Sequence, residues 1–155
     1  STNALGDLFV FLFFGPAAVC GTYYVQTLSL NTEIILYSVS VGLLITAIMV
    51  LNNYRDIKTD TAGGKRTLAV ILGEKLTRVE YFFLVLIAYL IPPALFLFTN
   101  TSPWVLLSLI SAPLWIPLFR DMSGRACGQV LNKTLAGTAK AGLLFSVLLS
   151  LGIVL

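Results

Sequence analysis

Asn52, Asp56 and Asp60 recur at intervals of four within the run LNNYRDIKTDTAGGKRTLAVILG, residues 51–73. On a helix such a spacing stacks the three side chains on one face. Two carboxylates so placed repel each other unless a cation sits between them. Gly63 and Gly64 mark the end of that helix, and near a helix C-terminus the dipole already disfavours negative charge. Helix stability has no use for acids there, whereas a bound cation does. Magnesium is taken by one or two carboxylates, with phosphate oxygens and water completing its shell. Lys65 and Arg66, just past the glycines, could then clamp diphosphate oxygens, the arginine bidentately. Stabilising charge on a departing diphosphate is largely electrostatic work of this kind. The alternative reading of the same residues is a mixed-charge loop between two spans, with the Asp pair arising by chance. Asn53, Arg55 and Lys58 read as solvated flank or counter-ions. Gly64-Lys65-Arg66-Thr67 is not a phosphate-binding P-loop: Arg66 intervenes before the threonine, and Thr59 stands where the leading glycine belongs.

The elements that must position these residues are membrane spans. The chain has 155 residues, 57% of them hydrophobic and only 11% charged, with mean hydropathy +0.92. A soluble domain of this length carries about twice that charged fraction. Uncharged runs cover 8–32, 34–51, 81–119 and 141–155, and a span needs roughly 20 apolar residues. The third run is too long for one helix and is interrupted by Asn100-Thr101-Ser102-Pro103. The expected fold is therefore all-α: a polytopic transmembrane helix bundle in a single domain, residues 1–155. Its five spans lie at about 7–27, 33–51, 79–98, 103–119 and 134–155.

Several function classes drop out. The sequence has no histidine, which removes histidine acid–base chemistry, haem ligation and zincin-type sites. Cys20 and Cys127 are too far apart in sequence to suggest a disulfide framework or a metal knuckle. The net charge of +3 is no nucleic-acid signal, because the basic residues flank spans and form no soluble basic face. No secretory signal is expected, since the first apolar run is too long and lacks a basic start.

Along the chain, Gly15-Pro16 suggests a kink in the first span, and Tyr23, Tyr24 and Gln26 near its end suggest an interfacial aromatic belt or a cavity wall. Pro92-Pro93 is expected to break the third helix, and Pro113 and Pro117 to bend the fourth. Lys140 falls in the first turns of the fifth, where Gly137 and Gly142 permit close helix contact. Nine of the ten Lys and Arg residues lie in the loops after the second and fourth spans: Arg55, Lys58, Lys65, Arg66, Lys75, Arg78, Arg120, Arg125 and Lys133. The positive-inside rule then places the N-terminus and both basic loops in the cytoplasm and the C-terminus outside.

Asn52-x-x-x-Asp56-x-x-x-Asp60 followed by Gly64-Lys65-Arg66-Thr67-Leu68-Ala69-Val70 resembles the second aspartate-rich motif of the UbiA superfamily of intramembrane aromatic prenyltransferases. Within it, Asn52-Asn53-x-Arg55-Asp56-Ile57 with Lys65-Arg66-Thr67-Leu68 is similar to the 1,4-dihydroxy-2-naphthoate polyprenyltransferases of menaquinone synthesis. Phe11–Pro16, Gly21–Thr27, Leu131-Asn132 and Thr138-Ala139-Lys140 are also similar to that subfamily. The resemblance implies a transferase in a bacterial plasma membrane, with a polyprenyl diphosphate and an aromatic acceptor as its partners. In it, Mg2+ held by the catalytic residues Asp56 and Asp60 ionises the diphosphate, Asn52 supports the site, and Lys65 and Arg66 bind diphosphate. It also implies about nine helices and a first motif, Asn-Asp-x-x-Asp-x-x-x-Asp, which is absent here. The chain looks like helices five to nine, half of an active site, so the isolated 155 residues are expected to be inactive without the other half or a homo-oligomeric partner. Two other readings stay open: the same chemistry on another acceptor such as hydroxybenzoate or homogentisate, and a transport or assembly module whose basic loops bind anionic lipid.

Overall fold

The computed structural model describes residues 5–124 and 128–155. Arg125 and Cys127 of the second basic loop lie outside them. All the regular structure among the described residues is helical, and five helical stretches are long and apolar enough to cross a membrane. They are α1 (Gly6–Thr27), α2 (Thr32–Ala62), α3 (Leu68–Phe98), α4 (Pro103–Ser123) and α5 (Gln129–Val154). The all-helical, five-span architecture expected from hydropathy is thus the one observed. α2 is the central element: it packs against α1, α3 and α5, while α4 packs on α5 and α3. Many large apolar side chains on the outer faces remain exposed, Phe13, Phe83 and Leu143 among them, as lipid-facing surfaces require.

The helix ends follow from local chemistry. Asn31 caps α2 by accepting from the Ile34 N–H at 2.8 Å, and Thr67 caps α3 by accepting from the Val70 N–H at 3.3 Å. Between them α2 stops at Gly63, Gly64 turns left-handed with φ +69°, and the Lys65 N–H reaches back to the Asp60 carbonyl at 2.9 Å. This is the glycine stop that aims Lys65 back at the last turn of α2.

Three local expectations need correction. Pro92-Pro93 does not break α3; the helix runs on to Phe98. Proline fixes φ near the helical value, so both prolines fit the helical backbone, and Pro92 is buried in the bundle. The irregularity lies at Gly73 (φ 73°, ψ 172°) instead, so α3 begins at Leu68, well before the expected Val79, with a short first segment set at an angle. α5 begins at Gln129, which puts Lys140 about three turns inside it, exposed. In α1, Pro16 produces a widened π-type turn over Phe13–Ala17, the usual relief when an interior N–H is missing. In α4, Pro103–Leu114 winds as a tight 3-10 helix before relaxing to an α-helix at Trp115. The hydroxyls of Ser108 and Ser111 bond carbonyls three residues back at 2.8 and 2.6 Å within it.

Two kinds of contact hold the bundle. One is close backbone approach: a Cβ on Gly15 would lie 2.7 Å from the Gly42 Cα, so α1 and α2 touch through paired glycines. The other is an aromatic and hydroxyl network in which Tyr81 Oη meets Thr138 Oγ1 at 2.7 Å, joining α3 to α5. Tyr89 Oη meets Ser111 Oγ at 2.6 Å and accepts from Trp115 Nε1 at 2.7 Å, joining α3 to α4. Trp115, 2% exposed, packs among Tyr81, Tyr89 and Phe119.

Candidate metal and diphosphate site

The last three turns of α2 carry Asn52, Asp56 and Asp60 on one continuous helical face, as the four-residue spacing requires. All three line a cavity of about 200 Å3 at the charged end of the bundle, together with Lys65, Asp7 and Asn53. Both aspartates of the sequence motif therefore line a partly open cavity instead of turning away from it. Arg66 is exposed and is not part of the cavity wall.

Each aspartate has a cation beside it. Lys65 Nζ lies 2.8 Å from Asp60 Oδ1, whose residue is only 7% exposed. Arg55 forms a fork onto Asp56, with Nε and Nη2 donating to the two carboxylate oxygens at 2.8 Å each. The same guanidinium donates to Asn52 Oδ1 at 3.0 Å and to Asn132 Oδ1 on α5 at 3.0 Å. Arg55 is thus the counter-ion the sequence suggested, and it also ties α2 to α5. Beyond the apolar stretch that ends at Leu51, the Arg55 guanidinium holds the Asp56 carboxyl below the usual carboxylate range. Asp60 in turn raises the Lys65 ammonium above its ordinary value. The cavity wall thus carries Asp56, Asp60 and Lys65, while Arg55 grips Asp56 from beside it.

This donor set fits magnesium. Its ligands would all be oxygens, two carboxylates and one carboxamide, which suits a hard cation. Among the described residues no three His, Cys, Asp or Glu side chains cluster closely enough to cage a metal alone. Magnesium does not need such a cage when substrate phosphates and water supply the remaining positions.

Two residues of the cavity escape a reading of the motif. Asn53, which the sequence marks as solvated flank or counter-ion, is 6% exposed and donates through Nδ2 to Asp7 Oδ1 at 3.0 Å. Asp7, at the start of α1 and 5% exposed, is a third carboxylate of the cavity, 46 positions away in sequence. No local spacing could pair them. The one available signal was an acid standing at the head of an apolar span, where burial demands a partner. Removing the donor while leaving the acid buried is expected to be costly: Asn53→Ala should lower stability by about 1–3 kcal/mol. The double variant with Asp7→Ala should recover part of that loss in thermal unfolding. Tyr23, Tyr24 and Gln26 lie at the opposite end of α1. Tyr23 is half-buried on a second cavity there, and the other two are exposed.

Five helices long and apolar enough to cross a membrane, with Asp7, Asp56, Asp60 and Lys65 lining one cavity at their end, define the class as a multi-pass membrane protein. The chain belongs to the UbiA prenyltransferase family, whose model matches residues 2–135. It is 40% identical over 146 residues to the 1,4-dihydroxy-2-naphthoate octaprenyltransferase of Escherichia coli, covering 91% of this chain and 47% of that protein. It is also 40% identical over 133 residues to the protein of that name from Mycobacterium tuberculosis, covering 83% and 44%. The mouse UbiA prenyltransferase domain-containing protein 1 is 35% identical over 152 residues, covering 98% and 44%. The chain thus spans about half the length of the curated relatives it matches.

Proposed function

We propose that this chain supplies one half of the active site of a Mg2+-dependent prenyltransferase. The reaction moves a polyprenyl group from its allylic diphosphate to 1,4-dihydroxy-2-naphthoate, as in menaquinone synthesis. The observation that carries the reading is the convergence of Asn52, Asp56, Asp60 and Lys65 on one cavity, in a chain similar to proteins named for that acceptor.

Asp56 and Asp60, with Asn52 beside them, would hold the metal. When bound, Mg2+ neutralises the diphosphate and draws off the charge that builds as the allylic C–O bond breaks. The rest of the work belongs to the chain. Lys65 and Arg55, paired with the two aspartates, would turn toward diphosphate oxygens once those aspartates hold the metal. Arg66, exposed on the connecting loop, extends the same positive rim. The bond electrons leave with the diphosphate, the electron-rich naphthoate ring takes the allylic carbon, and the ring loses its carboxyl group as carbon dioxide. The charged end faces the cytoplasm of a bacterial plasma membrane, in keeping with the concentration of Lys and Arg there. The remaining ligands for metal and diphosphate come from a complementary half or from a second copy of the chain.

The test is transfer of radiolabelled prenyl groups in membranes holding the chain alone, or the chain with a complementary UbiA-type N-terminal half. Dihydroxynaphthoate, hydroxybenzoate and homogentisate are each supplied as acceptor. Transfer to dihydroxynaphthoate that needs both halves and Mg2+ is the expected result. Full activity from the 155 residues alone would refute the half-site, and preference for another acceptor would refute the substrate.

A further inference from the structure

Arg55 makes four hydrogen bonds, and three of them end on residues proposed to hold the metal. Its Nε and Nη2 donate to the two Asp56 oxygens at 2.8 Å each, and Nη2 donates also to Asn52 Oδ1 at 3.0 Å. The fourth runs from Nη1 to Asn132 Oδ1 at 3.0 Å, 77 positions along the chain on α5. Neither Arg55 nor Asn132 lines the aspartate cavity itself. The fold holds Asn132 firmly at this place. Leu131 and Thr134, 5% and 1% exposed, anchor the first turns of α5, and the Thr134 hydroxyl donates to Asp121 Oδ2 of α4 at 2.8 Å. Asn132, between them, is exposed and does not cap the helix, whose N-cap is Gly128. Asparagine is a mediocre helix former in such a place. Its one side-chain hydrogen bond among the described residues is the one from Arg55.

Resting on the metal and diphosphate reading above, we propose that Asn132 is a positioning residue for diphosphate: the pivot on which Arg55 turns from Asp56 toward the substrate. Metal binding claims oxygens of Asp56 and Asn52, the acceptors of three of the four bonds. A guanidinium keeps its charge and all its donors, so it must then find other oxygens. Asn132 is the acceptor for which the metal does not compete. Holding Nη1 there leaves Nε and Nη2 as a ready fork, the geometry that grips a phosphate bidentately. It also lessens the side-chain freedom that a long arginine loses on binding.

The test uses the chain with its complementary half and reads diphosphate binding apart from turnover. Equilibrium dialysis with radiolabelled pyrophosphate and Mg2+ gives a Kd; transfer assays give KM for the prenyl diphosphate, kcat and the Mg2+ half-saturation. Asn132→Leu, which keeps the size and removes the acceptor, should weaken pyrophosphate binding and raise KM together, about threefold to tenfold, the value of one exposed hydrogen bond. Asn132→Ala serves if leucine disturbs the helix. kcat and the Mg2+ half-saturation should stay within about twofold of the parent, since Asn132 touches neither the aspartates nor the breaking bond. A merely structural asparagine would instead lower the unfolding midpoint and shift the Mg2+ requirement. Asn132→Gln, which keeps a carboxamide acceptor, should recover most of the loss. In an Arg55→Met background Asn132→Leu should have no further effect, because the asparagine acts through the guanidinium. Pyrophosphate binding unchanged in Asn132→Leu, an equal loss in Asn132→Gln, or additive losses with Arg55→Met would overturn the pivot and leave the Mg2+-dependent half-site standing. A parent that binds no pyrophosphate in Mg2+ would sink that half-site, and the pivot with it.

Discussion

Asp60→Asn is expected to lower prenyl transfer by about 10²–10³-fold, the usual loss when one preorganised electrostatic contact to a developing charge is removed. The carboxamide keeps the side-chain volume, so the packing around a residue only 7% exposed is preserved. What disappears is the negative charge that faces the cavity and pairs with Lys65 at 2.8 Å. The assay uses the chain together with its complementary half, and the decisive readout is the Mg2+ titration. The variant should need a much higher Mg2+ concentration, and EDTA should abolish transfer in the parent. A parent rate indifferent to EDTA, or a variant within a few-fold of the parent at every Mg2+ concentration, would remove the aspartates from the mechanism.

Gly15→Ala is expected to give the largest loss of stability among conservative substitutions of the first helix. A methyl group there would lie 2.7 Å from the Gly42 Cα and 2.8 Å from the Ser38 carbonyl oxygen, both backbone atoms of α2. Neither can rotate aside, so α1 itself must shift. Overpacking of this kind costs about 1–3 kcal/mol. Gly42→Ala meets the same contact from the other side, with the Gly15 Cα at 2.9 Å and the Phe11 carbonyl oxygen at 3.1 Å. The two substitutions should therefore be strongly non-additive, since the first already separates the helices. Thermal unfolding in detergent measures both, and an unchanged midpoint in Gly15→Ala would show that the glycine contact is dispensable. Asp7, on the same helix as Gly15, should lose its bond from Asn53 as α1 shifts, so cavity and packing are expected to fail together.

The parts of this structure that were legible in the sequence are those governed by local rules. Hydropathy alone gives five spans because lipid admits few other solutions for uncharged runs of such length. Helical spacing alone puts Asn52, Asp56 and Asp60 on one face, and the glycines after them end α2 where it does end. The proline expectation failed at Pro92-Pro93 because the φ that proline fixes is itself close to helical, and α3 continues through both to Phe98. The actual break at Gly73 needs only a residue that tolerates positive φ, a weaker signal than a double proline. Asp7 and Asn53 were invisible for a different reason: their pairing is a product of helix packing, and nothing within either segment announces the other. Arg66 shows the converse, since adjacency to Lys65 in sequence does not carry it onto the same wall.

The two tryptophans of the chain occupy opposite surroundings. Trp115 is sealed inside the bundle with its indole N–H donated to Tyr89, while Trp104, at the head of α4, is 51% exposed. Their fluorescence should therefore separate by environment, one emitter shielded from aqueous quenchers and the other open to spin-labelled lipids. A Trp115→Phe and Trp104→Phe pair would make each an optical gauge of its own region. Loss of the aromatic interior could then be timed apart from changes at the rim, in a protein whose helical content alone would report neither.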